Sequence, residues 1–422
     1  MLVLAIQLCA KSVSADDWPT AMHDNHRSGV TAENVSPPLY PAWTFEPSFP
    51  PAQGWSLPQN GYGSRKDRPN VADDDAFRVI AVGGRCYFCS SAENCVYAID
   101  RDSGRIVWRY FTEAAPRLAP VFYQGKLYFG ADDGRFRCLD AESGNLLWEI
   151  DGAPRNDLML GYGRFSSLWP IRAGGIVEDG VVYFTSGLFP QYGVYLHAAD
   201  ADDGSLLWRR NLDPGGLGDN VPQGHILADE RSIYLTSRIA PRRFSKSDGS
   251  PFSFQTPFPE VTNAHEYRFN NGGSYAQIVD DKNIVYGQAC VFCYDPDTEL
   301  KDKWGHPTKG SLAFNWFGAR QIVFTADTAY IATDDYLAAV PCEMLPELAA
   351  GECREYEEAY KRLSIAGYQE NLAEYEQRLR DNGPDDPQVK YLAGGPLKWG
   401  RANWEQWPEV SQKIIDKLAR RV

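Results

Sequence analysis

Hydrophobic and polar positions alternate with period two through most of the first 340 residues, and the alternation falls into recurring blocks. Arg85–Trp108 reads RCYFCSSAENCVYAIDRDSGRIVW, and Lys126–Trp148 reads KLYFGADDGRFRCLDAESGNLLW. Val181–Trp208 reads VVYFTSGLFPQYGVYLHAADADDGSLLW. Each block is a Tyr-Phe run, a connection, a second apolar run, then Asp-x3-Gly-x3-Trp. Asp100/Gly104/Trp108, Asp140/Gly144/Trp148 and Asp200/Gly204/Trp208 keep identical spacing. Runs of alternating apolar residues separated by turn residues predict antiparallel hairpins. Asp133-Gly134 predicts a tight hairpin turn. Before each final strand, a glycine stands where a left-handed residue is wanted, and an acid is placed to hydrogen-bond the turn. Ile106 and Trp108 share a face, as do Leu146 and Trp148. So small a sheet has to stack on copies of itself, with the indole filling the gap between neighbours.

Weaker copies follow. Ser232–Thr236 leads to a degenerate turn at Ser247-Asp248-Gly249 with Phe252 and Phe254 beyond it; Ile284–Gly287 leads to Cys293, Asp295 and Trp304; Ala329–Ala332 opens a sixth. The tyrosines at 87, 128, 183, 234, 286 and 330 lie 41 to 55 residues apart, a period that suits propeller blades better than a solenoid. The fold class expected is all-β: a β-propeller of four-stranded antiparallel blades at about 77–112, 116–151, 165–212, 220–256, 273–305 and 318–341, with a C-terminal helical insertion or cap. Residues 16–76 read as an irregular lead-in containing a ring-closing strand at 39–46 that carries Trp43. After Pro341, Tyr356, Tyr360, Leu363, Tyr368, Leu372, Tyr375 and Leu379 recur at helical spacing, ending at Asn382-Gly383-Pro384. A second helix is expected from Pro408, so that 342–422 form the helical insertion or cap.

The AxDxxxGxxxW element resembles the repeat of quinoprotein-type (PQQ-like) β-propellers, and the resemblance covers roughly residues 39–340. It implies blades docked on one another by their tryptophans, and it extends to both dehydrogenases and non-enzymatic relatives. Family members that close as rings commonly have seven or eight blades. Six therefore imply a fragment of a longer member, the alternative being a complete six-bladed ring.

Composition narrows the function classes. A net charge of −14 argues against nucleic acid and anionic membranes, which need clustered Lys and Arg. No run of 18 apolar residues occurs, so no helical membrane span is expected. Met1–Ala15 is apolar and ends in Val13-Ser14-Ala15, like the tail of a secretory signal, which places the chain in a bacterial extracytoplasmic compartment, the periplasm foremost. Cys86/Cys89 and Cys290/Cys293 are both CxxC, yet each pair is written within a strand, where positions three apart face opposite ways, so no metal is expected. Cys138 and Cys293 take the slot of Ala98 and Ala198 and read as small buried residues. In an exported chain Cys342 and Cys353 are the expected disulfide.

No GxSxG, HExxH, P-loop or EF-hand motif is present, so no catalytic residue is assigned. The resemblance implies, for the enzymatic branch, a vicinal Cys-Cys pair and a calcium cluster beside the quinone. This chain has no Cys-Cys dipeptide and no cluster that aligns. No cofactor is therefore expected, PQQ with Ca²⁺ belonging only to the alternative. The segments written just before each Tyr-Phe strand supply the candidate ligand-binding residues at a channel mouth: Arg117, Arg164, Trp169, Arg172, Gln223, His225 and Tyr275. Arginines beside an aromatic suit a carboxylate or a planar ligand; alternatively they tie blades together through carbonyls and acids. The reading that follows is an exported, non-catalytic binding or assembly scaffold whose partner is a protein or small molecule at the propeller face, as a monomer or part of an envelope assembly. The alternatives are a PQQ-dependent oxidoreductase and an accessory or sensor domain of a larger protein.

Overall fold

The computed structural model describes residues 16–33, 38–52, 54, 76–161, 163–212, 221–222, 224–236, 241–252, 275–279, 283–287, 290–301, 307–317, 319–333, 336–345, 348 and 369–394. The chain divides into two compact units, Met1–Phe252 and Ser253–Val422. The signal-like segment, Gln223, Phe254, Cys353, the stretch 352–368 and the helix expected from Pro408 lie outside the described residues.

The first unit holds β-propeller blades, each with its strands hydrogen-bonded in chain order. Blade one is β1 (Ile80–Val82), β2 (Arg85–Ser90), β3 (Cys95–Asp100) and β4 (Ile106–Phe111), and blade two is β5 (Val121–Tyr123), β6 (Lys126–Gly130), β7 (Arg135–Asp140) and β8 (Leu146–Asp151). A separate hairpin of β9 (Leu158–Gly161) and β10 (Arg164–Ser167) and a short β11 (Ala173–Gly174) precede blade three. That blade is β12 (Ile176–Glu178), β13 (Val181–Ser186), β14 (Tyr195–Asp200) and β15 (Leu206–Asn211). Next, β16 (Gly224–His225) pairs in parallel with β11, and β17 (Leu227–Ala228), β18 (Ser232–Leu235) and β19 (Arg242–Ser245) make a three-stranded fourth blade.

The third strand is buried almost throughout in blades one to three, whereas the outermost strand alternates between exposed and half-buried positions. Opposite each docking tryptophan stands a small residue: Ala98 faces Trp108, Cys138 faces Trp148 and Ala198 faces Trp208. The register slips immediately after each of these pairs, a bulge that leads into the Asp-x3-Gly turn. In that turn Asp100 Oδ1 accepts the Ser103 amide and hydroxyl at 2.9 and 2.7 Å, and Asp140 Oδ1 accepts those of Ser143 at 2.8 and 2.6 Å. These hydrogen bonds hold both carboxyls below the usual carboxylate range.

The turn glycines are where one blade meets the next. Each has a left-handed φ, 67° at Gly104, 73° at Gly144, 76° at Gly204 and 66° at Gly249. A Cβ at these positions would come within 2.6 to 2.8 Å of the ring of Trp43, Trp108, Trp148 and Trp208 respectively. Glycine is needed twice over, for the backbone angle and for the close approach. The indole Nε1 groups donate to the Arg101, Ala141, Ala201 and Lys246 carbonyls at 2.7, 3.1, 3.3 and 3.2 Å. Tyr87 and Tyr128 hydroxyls donate to the same Ala141 and Ala201 carbonyls at 3.2 and 3.0 Å. The degenerate fourth turn keeps Gly249 because Trp208 rests on it, with Ser245 in place of the acid.

Residues 39–46 form no strand, contrary to the expectation from sequence. Pro41 and Pro47 flank the indole and remove ladder donors. Trp43 nevertheless lies on Gly104 as the other tryptophans lie on theirs, and Phe45 packs edge-on against Phe88 and Tyr97.

In the second unit, β20 (Ala276–Val279), β21 (Asn283–Gly287), β22 (Cys290–Lys301) and β23 (Pro307–Phe317) form a four-stranded antiparallel sheet. A three-stranded sheet follows, β24 (Ala319–Phe324), β25 (Thr328–Thr333) and β26 (Leu337–Pro341). Val285, Ala319, Ile322, Ala329, Ile331, Val340 and Leu345 make its core. Trp304, read from sequence as the last strand of a blade, lies outside the described residues. Helix α1 runs through 369–382 and stops at Gly383, whose φ of 79° and bond to the Leu379 carbonyl at 3.2 Å end it. The short α2 (Pro387–Gly394), which buries Val389 and Leu392, was not anticipated from the sequence.

Candidate functional site

Two polar assemblies stand out in the first unit, both built where the irregular lead-in meets the blades. The first centres on Asp132, in the β6–β7 turn of blade two. Arg117 Nε donates to Asp132 Oδ2 at 2.8 Å, while Arg172 donates from Nε to Oδ1 at 2.8 Å and from Nη2 to Oδ2 at 3.0 Å. All three side chains are buried, at 6, 3 and 8% exposure for Arg117, Asp132 and Arg172. Burial alone would raise the Asp132 pKa, but Arg172 and Arg117 outweigh it and hold the carboxyl below its usual range. The remaining donors turn outward to the lead-in: Arg117 Nη1 reaches the Ala52 carbonyl and Arg172 Nη1 the Gly54 carbonyl, each at 2.7 Å. The pair clamps Ala52 and Gly54 onto the blades.

The second assembly is the segment Asp16–Gly29, which crosses the first strands of all four blades. Trp18 and Ala81 exchange backbone bonds at 2.6 and 3.0 Å on β1, and the Phe122 amide of β5 donates to the Pro19 carbonyl at 2.7 Å. Asn25 Nδ2 donates to the Val177 carbonyl of β12 at 3.1 Å, and the Ala228 amide of β17 donates to the Asn25 carbonyl at 3.0 Å. Arg27, 1% exposed, anchors the far end. Its guanidinium donates to the Ile226 carbonyl at 3.0 Å, the Gly175 carbonyl at 3.5 Å, the Ala21 carbonyl at 3.0 Å and the Thr20 hydroxyl. Burial lowers its pKa to about 10, against a smaller opposing pull from Asp24. Met22, His23 and Arg27 have φ of 57°, 81° and 60°, the left-handed region that side chains with a Cβ disfavour.

The candidate residues from sequence fall around these assemblies. Residues 117–120, 168–172, 221 and 222 precede the innermost strands rather than form them, since those ladders begin only at Val121, Ile176 and Leu227, and Gly224–His225 pair with β11 instead. Pro120, Pro170 and Pro222 withhold amide donors from those stretches. Arg164 holds blade one: it donates to the Ser91 and Ala92 carbonyls at 2.8 and 2.9 Å and to Asn94 Oδ1 at 3.0 Å. Trp169 is 1% exposed, donates to the Tyr192 carbonyl at 3.0 Å and carries the Arg155 guanidinium over its ring. His225 packs against Gly174, and its Nε2 is shut off from solvent without a hydrogen-bond partner. Burial first, then Arg27 and Arg78, push its pKa well below the usual value, so the ring is neutral. Tyr275 lies in the second unit, where its hydroxyl is within hydrogen-bond distance of the Gln277 side chain and the Ile322 carbonyl. The structure thus brings Arg117 and Arg172 together and leaves Arg164 and Trp169 on separate tasks.

Sequence reasoning missed Asp132, read only as part of a hairpin turn, and Arg27, which sits in no periodic pattern. It also missed a buried pair, Ser186 and His197, joined at 2.9 Å with the serine donating to the Gly152 carbonyl at 2.6 Å. Burial, and secondarily Arg209, push the His197 pKa down to about 3. Cys86 packs with the Phe88 and Tyr97 cluster and Cys89 with that of Tyr87, on opposite faces of β2. Burial raises the Cys89 thiol far above its usual value and Cys138 to about 12. Among the described residues, no three His, Cys, Asp or Glu side chains converge on a metal-sized point.

A family model described as outer membrane protein assembly factor BamB (PQQ_2) matches residues 70–212. The quinohemoprotein alcohol dehydrogenase ADH-IIG of Pseudomonas putida is 30% identical over 149 residues, which is 32% of this chain and 19% of that protein. The outer membrane protein assembly factor BamB of Yersinia pestis is 26% identical over 196 residues, 45% of each chain. The solved structure of BamB from Moraxella catarrhalis aligns with a TM-score of 0.41 at 16% identity, covering 62% of this chain and 70% of that one. The match spans only about a fifth of the Pseudomonas dehydrogenase and under half of the Yersinia assembly factor.

Proposed function

We propose that this chain is a non-catalytic binding or assembly scaffold: residues 70–212 match a family model described as outer membrane protein assembly factor BamB, and the proteins it is similar to include both an assembly factor and quinone-dependent dehydrogenases. The observation that carries the reading is the use made of its arginines. A planar quinone bearing carboxylates needs cationic donors turned toward it. Arg117 and Arg172 are instead directed at Asp132 and the carbonyls of residues 52 and 54, and Arg27 at four backbone carbonyls and a hydroxyl. That use of the three arginines supports the scaffold reading. Export to a bacterial extracytoplasmic compartment, supported by the signal-like Met1–Ala15, belongs to the same proposal. So does the assignment of a protein partner, since the family model's description names an assembly factor.

The similarity to quinohemoprotein alcohol dehydrogenase supports a second reading, quinone-dependent oxidation. One experiment separates the two. The purified chain is titrated with PQQ and Ca²⁺, and dye reduction is followed with alcohols and sugars. Under the scaffold reading no turnover appears above the protein-free rate; sustained turnover overturns it.

A further inference from the structure

The groups that Asp16–Gly29 satisfies describe what else can lie in its place. Along the four innermost strands they are the amides of Ala81, Phe122 and Ala228, and the carbonyls of Ala81, Val177, Ile226 and Gly175. Backbone groups meet Ala81, Phe122 and Ala228, side chains meet Val177, Ile226 and Gly175, and the far end is a cluster of carbonyl oxygens that takes a guanidinium. An anionic ligand there would meet carbonyl dipoles.

The segment holds this path with little apolar grip. Among the described residues, Ala21 is its one member of a buried hydrophobic cluster. Three of its non-glycine residues sit at left-handed φ, and its buried cation has no carboxylate within ion-pair distance among the described residues. A polar, conformationally strained attachment opens at lower cost than the apolar sheets beneath it.

We propose that the inner-strand path of the first unit is a peptide-binding site occupied in cis by residues 16–29, and that its external ligand is a peptide carrying an arginine. The inference rests on the scaffold reading and gives that scaffold its site and ligand class. In this arrangement the segment is the chain's own competitor: ligand enters when Arg27 leaves the carbonyls of 175 and 226.

The test uses the full chain, its Arg27→Met and Met22→Gly variants, and a labelled synthetic peptide spanning residues 16–30. Hydrogen exchange reads the path directly through the amides of Ala81, Phe122 and Ala228. In Arg27→Met these exchange at least tenfold faster while the β2–β3 amides of blade one stay protected, and the peptide binds at least tenfold more tightly than to the unmodified chain. A peptide bearing Arg27→Met is not captured. Met22→Gly acts in the opposite direction, because glycine accepts a φ of 57°: exchange at the three amides slows and peptide capture weakens. If the three amides stay protected in Arg27→Met, or open only together with β2–β3, the segment is an inseparable part of the fold and the inference fails. It also fails if the path opens and the peptide is not captured, or if Met22→Gly changes neither readout. Each of these results leaves the scaffold reading standing, whereas quinone-dependent turnover removes that reading without touching the exchange data.

Discussion

Between neighbouring blades, Trp108 and Trp148 lie across Gly144 and Gly204, with one carbonyl in each following blade accepting both an indole and a tyrosine hydroxyl. At the inner edge, Arg27 and Asn25 reach the same sheets through side-chain bonds to carbonyls, with hardly any apolar surface. The difference is one of tolerance. An apolar joint keeps its strength through small shifts and can be copied from blade to blade. A polar crossing depends on each donor meeting its acceptor, and it occurs once.

Breaking a repeated joint should therefore have the largest effect. Trp148→Ala removes a ring packed on Tyr128 and Phe136 and is expected to cost about 3–5 kcal/mol, read as a fall in the urea midpoint. Asp132→Asn leaves Arg117 and Arg172 buried beside a neutral amide and is expected to cost about 3 kcal/mol, with faster exchange at the amide of Ala52. A smaller effect comes from His197, whose folded pKa of about 3 lies below its unfolded value. Its neutral form is the one folding selects, so the stability is fully present above pH 6.5 and is lost as pH falls toward 3. At pH 5 the loss amounts to about 2 kcal/mol, and His197→Gln should flatten that part of the stability-against-pH curve. The smallest effect is expected from Leu206→Lys on the exposed side of β15, within about 0.5 kcal/mol by the same denaturation. A large loss there would mean the outer strand is covered by a partner surface of its own.

The joints were legible in the sequence because each writes the same residues at the same interval. Asp100, Gly104 and Trp108 announce a turn, a left-handed position and a large ring, and each does that one job wherever it recurs. Even Gly249, in a turn that had lost its acid, kept its purpose. The inner assemblies were not legible for the converse reason. Asp132 stands in Asp132-Asp133-Gly134, where turn propensity explains an acid without any arginine. Arg117 and Arg172 were found as candidates, but the sequence does not say whether a guanidinium meets a ligand or a carbonyl 118 residues away, as Arg172 does at Gly54. Arg27 belongs to no period at all. The expected strand at 39–46 fails because the indole's role survives without the ladder: Trp43 needs only Gly104 and one carbonyl, and the prolines around it forbid more.

The four docking indoles, Trp43, Trp108, Trp148 and Trp208, each rest on a turn glycine that comes later in the chain. During synthesis from the N-terminus, the newest completed sheet presents one ring with its far side uncovered, and the ring gains its seat only when the next turn emerges. Growth thus has a polarity: the nascent chain carries a single sticky site that moves forward one blade at a time, and it is there that a pause in translation would leave apolar surface open to the wrong neighbour.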